Sequence, residues 1–138
     1  MSIFHLIYAS TAAPDLKPVD LERILDASVR NNKRSDITGM LLYIEGTFLQ
    51  ALEGDEAAVT GAYRRIEGDP RHQGLVVIQS SPIESRSFPD WSMGFKYLGV
   101  EELSKRDSYR NHINNDFYSK VRDLKPDTAL AMLREFSI

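Results

Sequence analysis

The sequence predicts an α+β fold in which two helices pack on one face of a five-stranded mixed sheet. Segments with the alternating pattern of strands and segments with the stripes of amphipathic helices follow one another in the order β-α-β-β-α-β-β. A tight-turn signal at Glu45-Gly46 joins the second and third strands into a hairpin. Strand–helix–strand units arranged around a hairpin are typical of the ferredoxin-like split βαβ, which is therefore the predicted fold.

Residue type and spacing predict the first strand and the first helix. Residues 3–10 are rich in β-branched and aromatic side chains and end in a polar loop, which is typical of a strand. Pro18 suits the first turn of a helix. The helix is predicted to run to about residue 32, because one stripe recurs at i, i+3, i+4 and i+7: Leu21, Ile24, Leu25 and Ser28.

The middle of the chain predicts a hairpin, a second helix and two further strands. The hairpin strands span about 37–45 and 47–53. Asp55 has the side chain of an N-cap for the second helix. That helix carries one stripe, formed by Val59, Ala62, Tyr63 and Ile66. The last two strands are predicted at about 75–80 and 90–98.

The pattern becomes helical again after residue 100. A short stripe is formed by Phe117, Val121 and Leu124. A further helix is predicted to begin at Pro126, with a stripe formed by Ala129, Leu130, Leu133 and Phe136. We expect these helices to cover the sheet face that the first two leave bare. The chain is therefore divided into a domain of residues 1–98 and a C-terminal helical extension of residues 99–138.

Composition excludes several classes of function. The 138 residues carry a net charge of −3, which argues against binding to nucleic acid or to an anionic membrane. The chain has no cysteine, so disulfides, thiolate catalysis and cysteine-ligated metals are excluded. Its three histidines lack the spacing with acidic residues that a metal site needs, and we expect none. Neither a signal peptide nor a membrane-spanning run is present, so a cytoplasmic location is expected.

Three hydrogen-bonding side chains continue the inner stripe of the first helix, at Ser28, Asn31 and Asn32. Buried polar groups need partners, because leaving one unsatisfied costs about 1–3 kcal/mol. One interpretation makes Asn31 or Asn32 the C-cap of the helix in the left-handed conformation. The other makes the three side chains contacts of a ligand.

Tyr8 and Gln50 raise the same question on the strands. Gln50 shares a strand face with Phe48 and Leu52 by period two, so it points into the apolar layer and needs a polar partner from outside its own strand. A glutamine on the wet face and a tyrosine in an ordinary core are the alternatives.

The two helices offer a second pair of facing groups. Ile24 and Ile66 lie at comparable depth, where they could hold a flat aromatic ring between them or simply pack together. Charged side chains near the end of the second helix could meet a phosphate or form a solvated helix end: Arg65, Asp69, Arg71 and His72.

Five segments together resemble the BLUF domain, a blue-light sensor that uses FAD. The resemblance covers roughly residues 2–98, with the segments in the right order and spacing. The segments are LIYAS (6–10), SVRNN (28–32), ITGMLLYIEGTFLQALEG (37–54), AYRRIEGDPRHQGL (62–75) and FPDWSMGF (88–95). Any one of them is weak, but the set is highly specific.

The resemblance implies FAD as the cofactor, with its isoalloxazine ring between the two helices. Tyr8 and Gln50 match the switch pair, while Trp91 and Met93 match the fifth-strand residues that relay the change. Ala9 departs from a serine that often follows the tyrosine, which we expect to tune the switch without removing it. The flavin contacts expected from the resemblance and the shared strand face are Ile24, Ser28, Asn31, Asn32, Phe48, Gln50, Arg65, Ile66, Asp69 and His72.

A photoreceptor is therefore expected, and not an enzyme. Electron and proton transfer from Tyr8 through Gln50, followed by return, would leave the amide rotated or tautomerised and the flavin absorption shifted to the red. We expect no effector domain beyond residue 138, so the signal would pass through the fifth strand and the C-terminal helices to a partner protein. A homo-oligomer is also expected, either a dimer or a larger ring.

Two interpretations from other classes of function stay open beside the photoreceptor. One is a small ferredoxin-like enzyme, acylphosphatase-like or flavin-reducing. The other is a ligand-free interaction module.

Overall fold

The structure, a computed structural model, describes residues 3–44, 46–89, 94–98 and 125–136. Its strands and helices follow one another in the predicted order. The bounds are β1 Ile3–Ala12, α1 Pro18–Ser35, β2 Thr38–Ile44, β3 Thr47–Gly54, α2 Glu56–Glu67, β4 His72–Ile83, β5 Gly94–Leu98 and α3 Pro126–Phe136.

The strands form one sheet in the order β4-β1-β3-β2-β5. β4, β1, β3 and β2 are antiparallel to one another, since β1 pairs with β3 and β4, and β2 pairs with β3. β5 lies parallel to β2 at one edge. The four antiparallel strands together with the three described helices confirm the predicted α+β class.

Two apolar cores lie on the two faces of this sheet, because successive side chains of a strand point to opposite faces. Leu6 and Tyr8 of β1 belong to the core that packs under α1 and α2. Ile7 and Ala9 belong to the other core, which α3 covers with Ala129, Met132 and Leu133. α3 therefore lies where the sequence predicted a C-terminal helix. The stripe predicted over residues 117–124 lies outside the described residues.

α1 begins as predicted and ends later than predicted. Pro18 occupies its first turn, and the N–H of Lys17 donates to Oδ2 of Asp20 at 2.9 Å. The helix ends at Ser35, and Asp36 is its C-cap in the left-handed conformation with a φ of 55°. The interpretation of Asn31 or Asn32 as the C-cap is therefore wrong, because both lie inside the helix. In the described part of the chain, no helix has both the length and the apolar character needed to cross a membrane.

The hairpin and the start of α2 agree with the prediction from the sequence. β2 and β3 meet at Gly46, whose φ of +85° is a conformation that glycine adopts without strain. Glu45, the other turn residue, lies outside the described residues. Asp55 precedes α2 as its N-cap, although its side chain makes no capping hydrogen bond.

β4 is longer than predicted, with 12 residues in place of the segment at about 75–80. Its register against β1 shifts twice, between Ile7 and Tyr8 and between Ala9 and Thr11. At both places β4 carries one residue more than β1, and Gly74, with a φ of +59°, lies at the second. The bulge at Gly74 breaks the alternation of side chains at the start of this edge strand, so the pattern there does not indicate a strand.

Candidate functional site

A cavity of about 140 Å³ opens between α1 and α2, and β3 contributes to its floor. Its lining combines apolar, amide and charged side chains. The lining residues are Ile24, Ala27, Ser28, Asn31, Asn32, Gln50, Leu52, Ala62, Arg65, Ile66, Asp69, Arg71 and His72. Of the two arrangements that the helix spacing left open, the structure has the groove between the helices, as an open cavity.

A buried hydrogen bond joins the floor of the cavity to the strand behind it. Tyr8 and Gln50 are directly paired in the antiparallel register of β1 and β3, so their side chains share one face. The Tyr8 hydroxyl donates to Oε1 of Gln50, and the two side chains are 0% and 3% exposed. Tyr8 thus holds the amide that lines the cavity.

The surroundings of Tyr8 keep its hydroxyl protonated. Burial raises the pKa of Tyr8 well above its ordinary value, and the nearby Tyr63 and Asp69 raise it further. The ring of Tyr63 meets that of Tyr8 edge to face, with the centroids 5.4 Å apart. Tyr8 is therefore a neutral phenol near pH 7, and its hydroxyl donates a hydrogen bond to the amide.

The wall formed by α1 follows from helical spacing. Ile24, Ala27, Ser28 and Asn31 recur at three- and four-residue intervals, so one face of the helix turns all of them toward the cavity. Asn32 lies beside Asn31 and is 3% exposed. The apolar end of this face is thus followed by amides and a hydroxyl, all within one wall.

The opposite wall ends in a compact charge pair. Arg65 is exposed, and Ile66 next to it is half-buried. Arg71 binds Asp69 through its guanidinium group, with Nη2 2.7 Å from Oδ2 and Nε 3.0 Å from Oδ1. The hydrogen bonds from Arg71 hold the pKa of Asp69 below its ordinary value, so the carboxylate is charged and already neutralised by its neighbour.

His72 closes the cavity at the start of β4. It is 7% exposed, its ring lies 4.5 Å from that of Phe48, and its Nδ1 lies 3.0 Å from the hydroxyl of Ser10. Burial lowers its pKa to about 4, against an opposing contribution from Asp69. The imidazole is therefore neutral at pH 7, and it can accept a hydrogen bond from Ser10.

Nine of the ten flavin contacts expected from the sequence line this one cavity. Phe48 is the exception, since it is fully buried against His72 and Tyr43 and does not reach the lining. Trp91 and Met93 lie outside the described residues.

Four lining residues were not among the expected contacts: Ala27, Leu52, Ala62 and Arg71. The first three share a helix or strand face with expected contacts, so spacing could have found them. Arg71 stood in the charged cluster of the sequence, but its pairing with Asp69 required the structure.

The donor set of the cavity fits a flavin. Ile24 and Ile66 stand on the two helices, where they can pack against the two faces of a flat ring. Amides such as Asn31 and Asn32 offer both donors and acceptors, which matches a ring edge that alternates N–H and C=O groups. Among the described residues, no group of three or more histidine and carboxylate side chains is placed to hold a metal ion.

Comparisons with known proteins point to one family. The family model described as sensors of blue light using FAD, BLUF, matches residues 3–94. The photoactivated adenylate cyclase subunit beta of Euglena longa is 38% identical over 89 residues, which are 64% of this chain and 10% of that protein. The blue light- and temperature-regulated antirepressor BluF of Escherichia coli K12 is 33% identical over 131 residues, 95% of this chain and 32% of that protein.

A solved structure extends the similarity over nearly the whole chain. The dark-state structure of BlrB, a BLUF protein, has a TM-score of 0.71 and 30% identity, and the match covers 96% of this chain and 98% of that one. In contrast, the chain spans only about a tenth of the length of the cyclase subunit that it matches.

Proposed function

The chain belongs to the BLUF family of blue-light sensors using FAD, and from this premise we propose that Tyr8 and Gln50 are its photoswitch. One observation carries the proposal: the buried Tyr8 hydroxyl donates to an amide that lines the cavity between α1 and α2. A redox-active phenol is thus hydrogen-bonded to an amide, which has both a donor and an acceptor group, and the amide lines the cavity that fits a flavin.

The lining suggests how the cofactor is held. Ile24 and Ile66 would sandwich the ring, and Asn31, Asn32 and Ser28 would bond its pyrimidine end. Arg65 and His72 would meet the ribityl-phosphate chain, on the side where Arg71 already neutralises Asp69. Phe48 supports His72 from behind, and a direct contact of Phe48 with the ring stays a prediction.

The switch follows from the hydrogen-bond inventory. Bound FAD supplies the absorption of blue light and, once excited, the power to oxidise a nearby phenol. With FAD bound, Tyr8 would supply the electron and its hydroxyl proton would leave along the bond to Gln50, and both the electron and the proton would return to Tyr8 before the cycle ends. The amide would then be rotated or tautomerised, which changes the pattern of donors and acceptors that it presents to the cavity.

No net chemistry results, and we propose that the protein signals rather than catalyses. The relatives carry such domains with different outputs, since one is named a photoactivated adenylate cyclase subunit and another an antirepressor. For this chain we propose a partner protein as the recipient, reached through Trp91, Met93 and the helical extension 99–138 from a sensor domain 1–98. A homo-oligomer, as a dimer or a ring, and a cytoplasmic location stay part of this proposal.

We take the ferredoxin-like arrangement with a five-stranded mixed sheet as the scaffold of this sensor. Its first four strands place Tyr8 and Gln50 side by side, and its two helices enclose the cavity in front of them.

Absorption spectroscopy tests the proposed switch. The purified protein should contain FAD, and its flavin spectrum should shift to the red in blue light and recover in the dark. Tyr8→Phe and Gln50→Leu should each retain FAD and abolish the reversible shift, because each removes one half of the hydrogen bond. A normal shift in either variant would show that the assigned roles are wrong, and a chain that cannot be loaded with FAD would contradict the proposal as a whole.

A further inference from the structure

Three residues that follow β4, Arg86–Phe88, contact three separate parts of the molecule. We call them the junction segment. They meet β3, the end of α1 and the helix α3, of which α1 and α3 lie on opposite faces of the sheet. Two of these parts, β3 and α1, also build the flavin cavity.

β3 holds the junction segment through a buried carboxylate. Glu53 is 0% exposed and lies three residues after Gln50 on the same strand. Its Oε1 accepts the N–H of Phe88 at 2.8 Å, and its Oε2 accepts the N–H of Ser87 at 3.0 Å and the Nδ1–H of His5 at 2.8 Å. A carboxylate with three donors fixes the backbone that it binds.

The charge of Glu53 is retained in spite of its burial. Burial acts to raise the pKa of Glu53, but the hydrogen bonds from His5, Ser87 and Phe88 outweigh it, and the pKa lies below its ordinary value. The group is thus ionised at neutral pH, where charge-assisted hydrogen bonds are stronger than neutral ones.

α1 holds the junction segment through Arg86. One end of its guanidinium group, Nη1, donates to Oγ1 of Thr38 at 2.8 Å and to the backbone carbonyl of Glu53 at 3.0 Å. The other end, Nη2, donates to the backbone carbonyl of Asp36 at 2.8 Å. The Asp36 carboxylate is 96% exposed at 3.4 Å, so the carbonyl carries this contact. Asp36 caps the helix whose last turns present Asn31 and Asn32 to the cavity.

α3 packs on the junction segment from the far side of the sheet. Phe88 is 2% exposed and belongs to the same core as Ala129, Met132 and Leu133. The guanidinium group of Arg134 donates to the hydroxyl of Ser87 at 3.2 Å. A displacement of the junction segment must therefore be met by a displacement or a repacking of α3, because closely packed cores do not deform freely.

We propose that the junction segment transmits the state of the flavin cavity to α3, with Glu53 and Arg86 as its positioning residues. The inference rests on the proposed function, since the photoswitch is the source of the change. A new hydrogen-bond pattern at Gln50 shifts β3 or the end of α1, and both are bonded to the same three residues. This route does not pass through Trp91 or Met93.

Light-dependent hydrogen exchange on the FAD-loaded full chain tests the proposal. The exchange rates of the backbone amides of α3 that follow Pro126, residues 127–136, are compared in blue light and in the dark. In the unaltered protein we expect a light-to-dark ratio that differs from unity at α3. Arg86→Gln and Glu53→Gln should keep the flavin red shift, since neither residue lines the cavity, and should bring the ratio at α3 closer to unity.

Arg30→Gln is the matched control, because it removes an exposed arginine of α1 that does not touch the junction segment. The Arg30→Gln variant should keep both the flavin red shift and the light-to-dark ratio of exchange rates at α3. A purely structural role of Arg86 would speed exchange in light and dark alike and leave the ratio unchanged. The side chain of Arg86 is 17% exposed and so less buried than Glu53, and the Arg86 variant serves even if Glu53→Gln does not fold.

Three outcomes would overturn the proposal: no light effect at α3 in the unaltered protein, an unchanged ratio in Arg86→Gln, or a loss of the red shift in Arg86→Gln. Absence of a red shift in the unaltered protein would refute the photoreceptor function itself. The spectrum therefore separates a failure of the route from a failure of the switch.

Discussion

At the scale of single residues, the site depends on groups that are buried in one protonation state. Tyr8 stays a phenol because burial raises its pKa, and His72 stays a neutral imidazole because burial lowers its pKa to about 4. Each group can then offer a defined donor or acceptor to its neighbour, Gln50 or Ser10. Burial thus fixes the hydrogen-bond pattern that light is proposed to change.

His72 should make the stability of the protein depend on pH. Its pKa in the folded state is about 4, below the ordinary value of 6.5, so the unfolded chain binds the proton more tightly. Its contribution to stability is therefore fully present above pH 6.5 and is lost as the pH falls toward 4. Between pH 7 and pH 5, the free energy of unfolding should fall by about 1–2 kcal/mol more in the unaltered protein than in His72→Gln.

Urea unfolding at the two pH values measures this difference. Other titrating groups are common to both proteins and cancel in the comparison. Equal losses in the two proteins would mean that His72 is charged, or exposed, in the folded state.

At the scale of elements, helix ends and strand edges decide where the sequence is informative. The stripes of α1 and α2 and the hairpin of β2 and β3 are local patterns, and they were predicted closely. The end of α1 was not, because polar asparagines indicated a cap while the structure continues the helix to Asp36. The ends of β4 were missed because backbone bonds to β1 extend an edge strand whatever its side chains are.

The N-terminus of α1 offers a test of its local design. Asp20 accepts the N–H of Lys17 at 2.9 Å in the first turn of the helix. Asp20→Ala should lower the free energy of unfolding by about 0.5–1 kcal/mol, because it leaves that N–H without its acceptor and removes a negative charge from the positive end of the helix. Asp26→Ala, an exposed aspartate in the middle of the same helix, should cost less in the same urea titration. Equal costs would show that the capping bond does not contribute.

The candidate site divides in a similar way between what the sequence predicts and what it does not. Residues on one helix or strand face, such as Ile24, Ser28 and Gln50, were predicted to face the ligand and line the cavity. The hydrogen bonds from Ser87 and Phe88 to Glu53 join positions 34 and 35 residues apart. No periodicity predicts such contacts, because they depend on how a loop folds back on the sheet.

At the scale of the whole molecule, the sheet separates the cavity from α3. The cavity lies on the face covered by α1 and α2, and α3 packs on the other. Each face of the sheet has its own apolar core, so the two faces are connected through residues such as Glu53.

α3 should therefore contribute strongly to stability. Leu133 is 0% exposed in the core shared with Ile7 and Leu49. Leu133→Ala should lower the free energy of unfolding by about 2–4 kcal/mol through lost burial and the cavity left behind. Leu130→Ala, at a partly buried position of the same helix, should cost clearly less in the same denaturant titration. Similar small losses in both would mean that α3 does not pack on the sheet as described.

The pairing of Tyr8 with Gln50 also has a consequence for folding. The two residues lie 42 positions apart and meet only when β1 has closed onto β3 across α1 and the hairpin. A slip of one residue in that pairing would turn the two side chains to opposite faces of the sheet. With this pair as the proposed photoswitch, the light response requires the native register. A reversible red shift would then measure the fraction of correctly folded molecules in a mixture, whereas the absorbance of bound FAD alone would not.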